Sequence, residues 1–194
     1  MIHALVDKSA VPLVYVLMVD KSEKSYLRVF QKLRELRPNL NPLSVMSDYE
    51  KASQNAISHV FPNTQLIGCL FHLGQSLWKK VQSLHLDNLY RDDENIRIHI
   101  RMLLALSFVP LQDVPLAFET LADDSPQEIV ALLDYWEDNY VGRQRRNKRA
   151  QPRYPISIWN VRNRVTDGLP RVTGGLPQFS GIVAPSFPKY SQLP

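Results

Sequence analysis

The chain predicts an α/β protein: a mixed sheet with flanking helices in front, a helical block behind it, and an irregular Pro/Gly-rich tail. Three observations carry that expectation. Up to about residue 90, short apolar runs alternate with amphipathic stretches of helical period. From there to residue 140 only the helical period is left. After residue 171, chain breakers are too dense for either pattern. The expected parts are an α/β core over 1–90, a helical stretch over 91–140, a basic loop and helical segment over 141–171, and a tail over 172–194.

Residues 2–6 and 13–18 are apolar runs separated by Asp7-Lys8-Ser9-Ala10-Val11-Pro12, which reads as two antiparallel strands joined by a turn. A helix follows, with Tyr26, Val29, Phe30, Leu33 and Leu36 on one face, Ser22 as N-cap, and Pro38 and Pro42 closing it. The run 43–47 is a third strand, and the helix from Tyr49 to about Val60 stops at Pro62. Residues 64–69 alternate as a fourth strand. The chain then turns helical over 70–84, with Leu73, Leu77, Trp78 and Val81 on one face. Ile96, Ile100, Leu103, Leu104 and Phe108 mark the next amphipathic helix, and 114–121 and 126–140 two more. Residues 172–194 hold four prolines (177, 185, 188, 194), three glycines (174, 175, 181) and a single charge, Lys189. No regular period survives that composition.

The apolar fraction of 44% and charged fraction of 22% are those of an ordinary globular protein. No apolar run approaches the ~20 residues of a membrane helix. The opening Met1-Ile2-His3-Ala4-Leu5-Val6 lacks the basic and apolar regions of a signal peptide. The single cysteine, Cys69, fits a reducing compartment. The expected location is nuclear or cytoplasmic, not secreted.

The formal charge of +4 is local: Arg143, Arg145, Arg146, Lys148, Arg149 and Arg153 supply six of the 23 basic residues, leaving 17 against 19 acids elsewhere. Such a run attracts phosphate backbones or import receptors. Most basic loops are solvated surface, but this density without an intervening acid raises two alternatives for Arg143, Arg145, Arg146, Lys148 and Arg149, contact with nucleic-acid phosphate and a nuclear import signal, and the sequence does not choose between them.

Two motifs carry candidate chemistry. Asp48, in Leu43-Ser44-Val45-Met46-Ser47-Asp48-Tyr49-Glu50-Lys51-Ala52, stands where a strand ends and a helix begins. It can cap that helix, or it can bind a divalent metal at the carboxyl edge of a sheet. A two-metal phosphoryl-transfer site needs several carboxylates, and one Asp cannot hold both ions. The second motif is Cys69-Leu70-Phe71-His72, with Trp78 two turns on. Cys-x-x-His is half a zinc site with no second cysteine to complete it. A packing role and a Cys69–His72 nucleophile pair are the other readings.

Together these stretches resemble the core of the Mutator-like (MULE) transposase domain, a cut-and-paste DNA transposase of RNase H-like fold. The blocks His3-Ala4-Leu5, Pro12-Leu13-Val14-Tyr15, Tyr140-Val141-Gly142-Arg143, Ile156-Ser157-Ile158-Trp159-Asn160 and Leu169-Pro170-Arg171 extend the likeness over roughly the first 171 residues. The resemblance implies Mg²⁺-dependent DNA strand cleavage and transfer, with Asp48 as the second of three catalytic acids. The first family acid lies upstream of the block matched here, and no acid follows Asp167 where the third belongs. The expectation is a domain truncated at both ends of its catalytic core, keeping one acid of three, inactive, holding no Mg²⁺ stably, and binding DNA weakly and without sequence preference. Cys69, His72 and Trp78 are family-like positions of unassigned role. The alternative is a co-opted nuclear DNA-binding or protein-interaction module without catalysis.

Overall fold

A computed structural model describes residues 1–6, 9–146 and 148–166; the tail expected over 172–194 lies outside them. Strand β1 (Ile2–Val6) pairs antiparallel with β2 (Ser9–Val14), Val6 opposite Ser9 and Ile2 opposite Val14. The second strand therefore starts four residues earlier than residues 13–18. β1 offers five residues, so its partner is used up by Val14, and 15–18 pair with no strand among the described residues. Pro12, expected in a turn, sits in a ladder that has open edges, where its missing N–H is tolerated.

Helix α1 (Glu23–Leu36) starts where expected: the Ser22 side chain accepts from the Ser25 amide, and Asp20 accepts from the Ser22 amide and from the hydroxyls of Ser22 and Ser25. These three bonds hold the Asp20 carboxyl down at about 2. Next come β3 (Ser44–Ser47), α2 (Lys51–Val60), β4 (Gln65–Gly68) and α3 (Leu70–Ser83). β3 and β4 run parallel, Ser44 opposite Gln65 and Ser47 opposite Gly68. Among the described residues the two ladders are separate, so the single mixed sheet expected from the sequence is replaced by two-stranded pieces. Alternation reveals strands but says nothing about which strands meet.

The back of the molecule is helical as expected. It consists of α4 (Asp87–Asp92), α5 (Glu94–Ala105), α6 (Val114–Asp123), α7 (Val130–Trp136), a π-helical turn over Glu137–Val141, α8 (Ile156–Trp159) and α9 (Arg162–Thr166). The basic run expected as a loop carries a short hairpin, β5 (Gln144–Arg145) with β6 (Lys148–Arg149). Gly142 turns the chain into it at φ +90°, a conformation closed to most side chains.

The main core is contributed by α3, α5, α6 and α7 and closed by Tyr140, Tyr154 and Trp159. A smaller cluster of Ile57, Val60 and Phe61, with Leu27, Phe30, Val45 and Leu66 against it, joins α1 and α2 to the parallel ladder. None of the described helices is long and apolar enough to cross a membrane.

Candidate functional site

The parallel pairing of β3 and β4 decides what stands together. The Cys69 amide donates to the Ser47 carbonyl at 3.1 Å, carrying the ladder one step past its last pair. Asp48 and the start of α3 therefore leave the same sheet edge side by side. One helical turn into α3, His72 Nδ1 lies 2.8 Å from Asp48 Oδ1. The distance is that of a hydrogen bond, but the ring nitrogen is not aimed along one. The contact is thus strongest as an ion pair with a protonated ring. Asp48 is half exposed, whereas His72 is more sheltered.

Asp48 does not cap α2. The N-cap is Glu50, whose side chain makes no capping bond. Its carboxylate instead accepts from the Tyr26 hydroxyl at 2.8 Å, and burial together with that neighbour pushes the Tyr26 phenol up to about 12. The Asp48 carbonyl is held by the Gln54 side chain at 3.1 Å.

Beneath this edge lies a buried polar seam that the sequence did not advertise. Arg164, on α9, is buried and donates to the carbonyls of Gly68 at 3.0 Å and Asn160 at 3.3 Å. Burial draws its guanidinium below the usual value, opposed by the nearby Tyr49 and Cys69. Tyr49 is pushed well up by burial, and its backbone carbonyl accepts from the Tyr154 hydroxyl at 2.7 Å. Gly68 permits this packing: a Cβ there would lie 2.7 Å from Tyr49 Cζ and 3.2 Å from the Ile158 carbonyl. Arg164 is one arginine among many in the sequence, and only the fold gives it this place.

Cys69 is fully buried, which keeps its thiol away from any substrate. Among the described residues no three of His, Cys, Asp and Glu come together to hold a metal ion. Trp78 is half-buried and meets Tyr90 edge to face at 5.1 Å, on a different stretch of α3 from His72.

The basic residues divide into two groups. Arg143 pairs with Asp138 and reaches Asp134 at 3.4 Å, and Asp138 is held below the usual carboxylate range by that hydrogen bond. Arg149 is mostly covered; it pairs with Glu119, reaches Glu137 at 3.2 Å, and donates to the Gly142 carbonyl at 2.6 Å. Acids of the helical block, Glu119, Asp134, Glu137 and Asp138, thus tie the hairpin to it. Arg145, Arg146 and Lys148 are exposed and make no ion pair among the described residues.

Residues 3–76 match the family model of the MULE transposase domain. No curated protein and no solved structure matches the chain. The matched stretch takes in Asp48, Cys69 and His72 and ends before Trp78 and the basic hairpin. The likeness read over 171 residues is thereby supported over residues 3–76, the stretch that is similar to the MULE transposase domain.

Proposed function

We propose that this chain is a transposase-family segment of RNase H-like design that holds duplex DNA by its backbone and does not cut it. The observation that carries the family reading is the carboxyl edge of β3 and β4, where Asp48 and His72 stand 2.8 Å apart inside the matched residues. A strand-end carboxylate beside a second strand is where α/β sheets place their chemistry.

The donor set at that edge does not suit the Mg²⁺ chemistry of the family. Mg²⁺ requires oxygen ligands in near-octahedral array. Among the described residues that edge offers Asp48, already facing an imidazole nitrogen, while Glu50 is engaged by Tyr26. Two ions bridging the attacking and leaving oxygens need more carboxylate than that. No catalytic step is assigned. Supercoiled plasmid incubated with the chain and Mg²⁺ or Mn²⁺ should remain supercoiled. Nicking that disappears in Asp48→Ala would overturn this and require a further acid.

DNA contact is assigned to Arg145, Arg146 and Lys148, the hairpin cations not already neutralised by acids of the helical block. Contacts to phosphate carry no base information. Three such contacts give a slope of log affinity on log salt no steeper than about −3. Fluorescence anisotropy on labelled duplexes of unrelated sequence should find similar, salt-sensitive affinities. Replacing the three residues by Gln should abolish binding. Persistence of binding in that variant would leave the hairpin as solvated surface.

The exposure of Leu13, Tyr15, Leu17 and Val19 favours the protein-interaction alternative. A chain that fails to bind duplex but self-associates or captures a partner through those residues would support that reading instead.

A further inference from the structure

Trp78, singled out in the sequence beside Cys69-x-x-His72, takes no part in the site at the strand edge. It forms one wall of an open groove of about 490 Å³ lined by Trp78, Gln82, Asp87, Tyr90, Arg91 and Arg97, between α3, α4 and α5. Tyr90 stands edge to face with Trp78 and both rings are half-buried, so the groove has a wall of aromatic surface that water can reach. Two guanidiniums stand at the same groove. Arg91 spends one donor on Asn88 Oδ1 at 3.2 Å, and Arg97 one on the Arg91 carbonyl at 3.1 Å, with Glu94 at 3.9 Å. Each arginine has five donors, so both keep several for a ligand. Among the described residues, the Trp78 indole N–H, the Gln82 amide, the Tyr90 hydroxyl and the Asp87 carboxylate make no hydrogen bond within the protein.

Aromatic surface, spare hydrogen-bonding edges and two cations together fit a planar ring that carries an anion. We propose that this groove holds one unpaired nucleotide of a single-stranded nucleic acid, the base against Trp78 and Tyr90 and its phosphate on Arg91 and Arg97. Stacking of this kind tolerates any base, since each presents a π face, and the phosphate contact makes it salt-sensitive. In a duplex the bases are stacked on one another and cannot enter. The assignment rests on the reading of nucleic acid as partner, but uses a surface separate from the hairpin at Arg145, Arg146 and Lys148.

The protein supplies its own probe. It has three tryptophans, and Trp136 and Trp159 are fully buried, so the solvent-quenchable emission belongs to Trp78. The full chain should be titrated with a twelve-residue oligothymidylate, with an abasic strand of the same length, with a duplex of the same length, and with a polyglutamate of equal charge. Oligothymidylate should quench the accessible emission, and the other three should not. By anisotropy, Trp78→Ala and Arg91→Glu should each weaken oligothymidylate binding about ten-fold. Arg91 is exposed, so that variant tests the groove even where Trp78→Ala unfolds. Equal binding of the abasic strand, equal quenching by polyglutamate, or unchanged affinity in Arg91→Glu would overturn the groove assignment. Duplex binding lost in the three-Gln hairpin variant, with oligothymidylate quenching absent in the parent, would sink the groove and keep the hairpin. The reverse pair of results would sink the hairpin and keep the groove.

Discussion

The front and the back of this molecule bury their side chains in different ways. Among the described residues none of the first 53 is buried, and α1 contributes only half-covered side chains to a cluster built on Ile57, Val60 and Phe61. The helical block, by contrast, closes over Trp136, Trp159, Leu103, Ile129 and Leu132, each essentially without exposed surface. A two-stranded ladder is marginal by itself, and parallel strands are usually covered on both faces. The front is thus held largely by what it leans on. The Asp48–His72 edge sits on that seam, with Arg164, Tyr154 and Ile158 of the back reaching Gly68 and Tyr49 of the front.

The largest effect should come from the back. Trp136→Ala removes a fully buried ring and should cost about 3–5 kcal/mol. Phe30→Ala, at a half-covered position meeting Phe61 edge-on at 6.4 Å, should cost about half as much. Urea denaturation of both variants measures the contrast, and equal losses would erase it.

The seam comes next. Gly68→Ala should cost about 1–3 kcal/mol, because the new methyl meets the partly buried Tyr49 ring and the Ile158 backbone. Tyr49→Phe/Gly68→Ala should recover part of that loss, since the hydroxyl is the outermost atom in the way. A double variant no better than Gly68→Ala would place the clash on the ring carbon that Phe keeps, 2.7 Å from the new methyl, or on the Ile158 carbonyl, rather than on the hydroxyl.

The pair at the edge should matter little to folding. Asp48 is half exposed, so the coupling between Asp48→Ala and His72→Ala in a double-mutant cycle should be below about 1 kcal/mol. A larger coupling would mean that the edge is part of the fold rather than a surface placed on it.

The smallest effect is one of pH. The Asp20 carboxyl lies at about 2 in the folded chain against 3.8 when free, lowered first by the Ser22 hydroxyl, then by the Ser25 hydroxyl and the Ser22 amide. A depressed carboxyl contributes stability that is fully present above the unfolded value and is lost as pH falls towards the folded one. Any stability advantage of the parent over Asp20→Asn should therefore be constant above about pH 5 and shrink between there and pH 2. An advantage that grew on acidification would show that the hydrogen bonds do not favour the charged form.

Much of this was legible in the residues. The start of α1 and its Ser22 cap, the strand ending before Asp48, and the helical run behind residue 90 all follow from periods and caps that local geometry enforces, whereas Leu36, expected on the apolar face of α1, is exposed and Leu27 packs in with Phe30. The second strand was misplaced because apolar character continues through Tyr15, Leu17 and Val19, which the fold leaves exposed. The basic run looked uniform, since nothing in its spacing tells Arg149, which is mostly covered and paired with Glu119, from exposed Arg146.

What the sequence determined alone is therefore local: where helices start and stop, which faces are apolar, and that an Asp closes one strand while Cys-x-x-His opens a helix. Residues 3–76 also carry enough of that pattern to match a transposase domain. Only the tertiary structure decided the partners. It set β3 beside β4 in parallel, so that Asp48 meets His72 across a ladder rather than capping its own helix. It also gathered Glu119, Asp134, Glu137 and Asp138 around Arg143 and Arg149, leaving Arg145, Arg146 and Lys148 exposed and without an acid partner among the described residues. Side-chain periodicity specifies a face, but the identity of what that face meets depends on the packing of elements far apart in the chain.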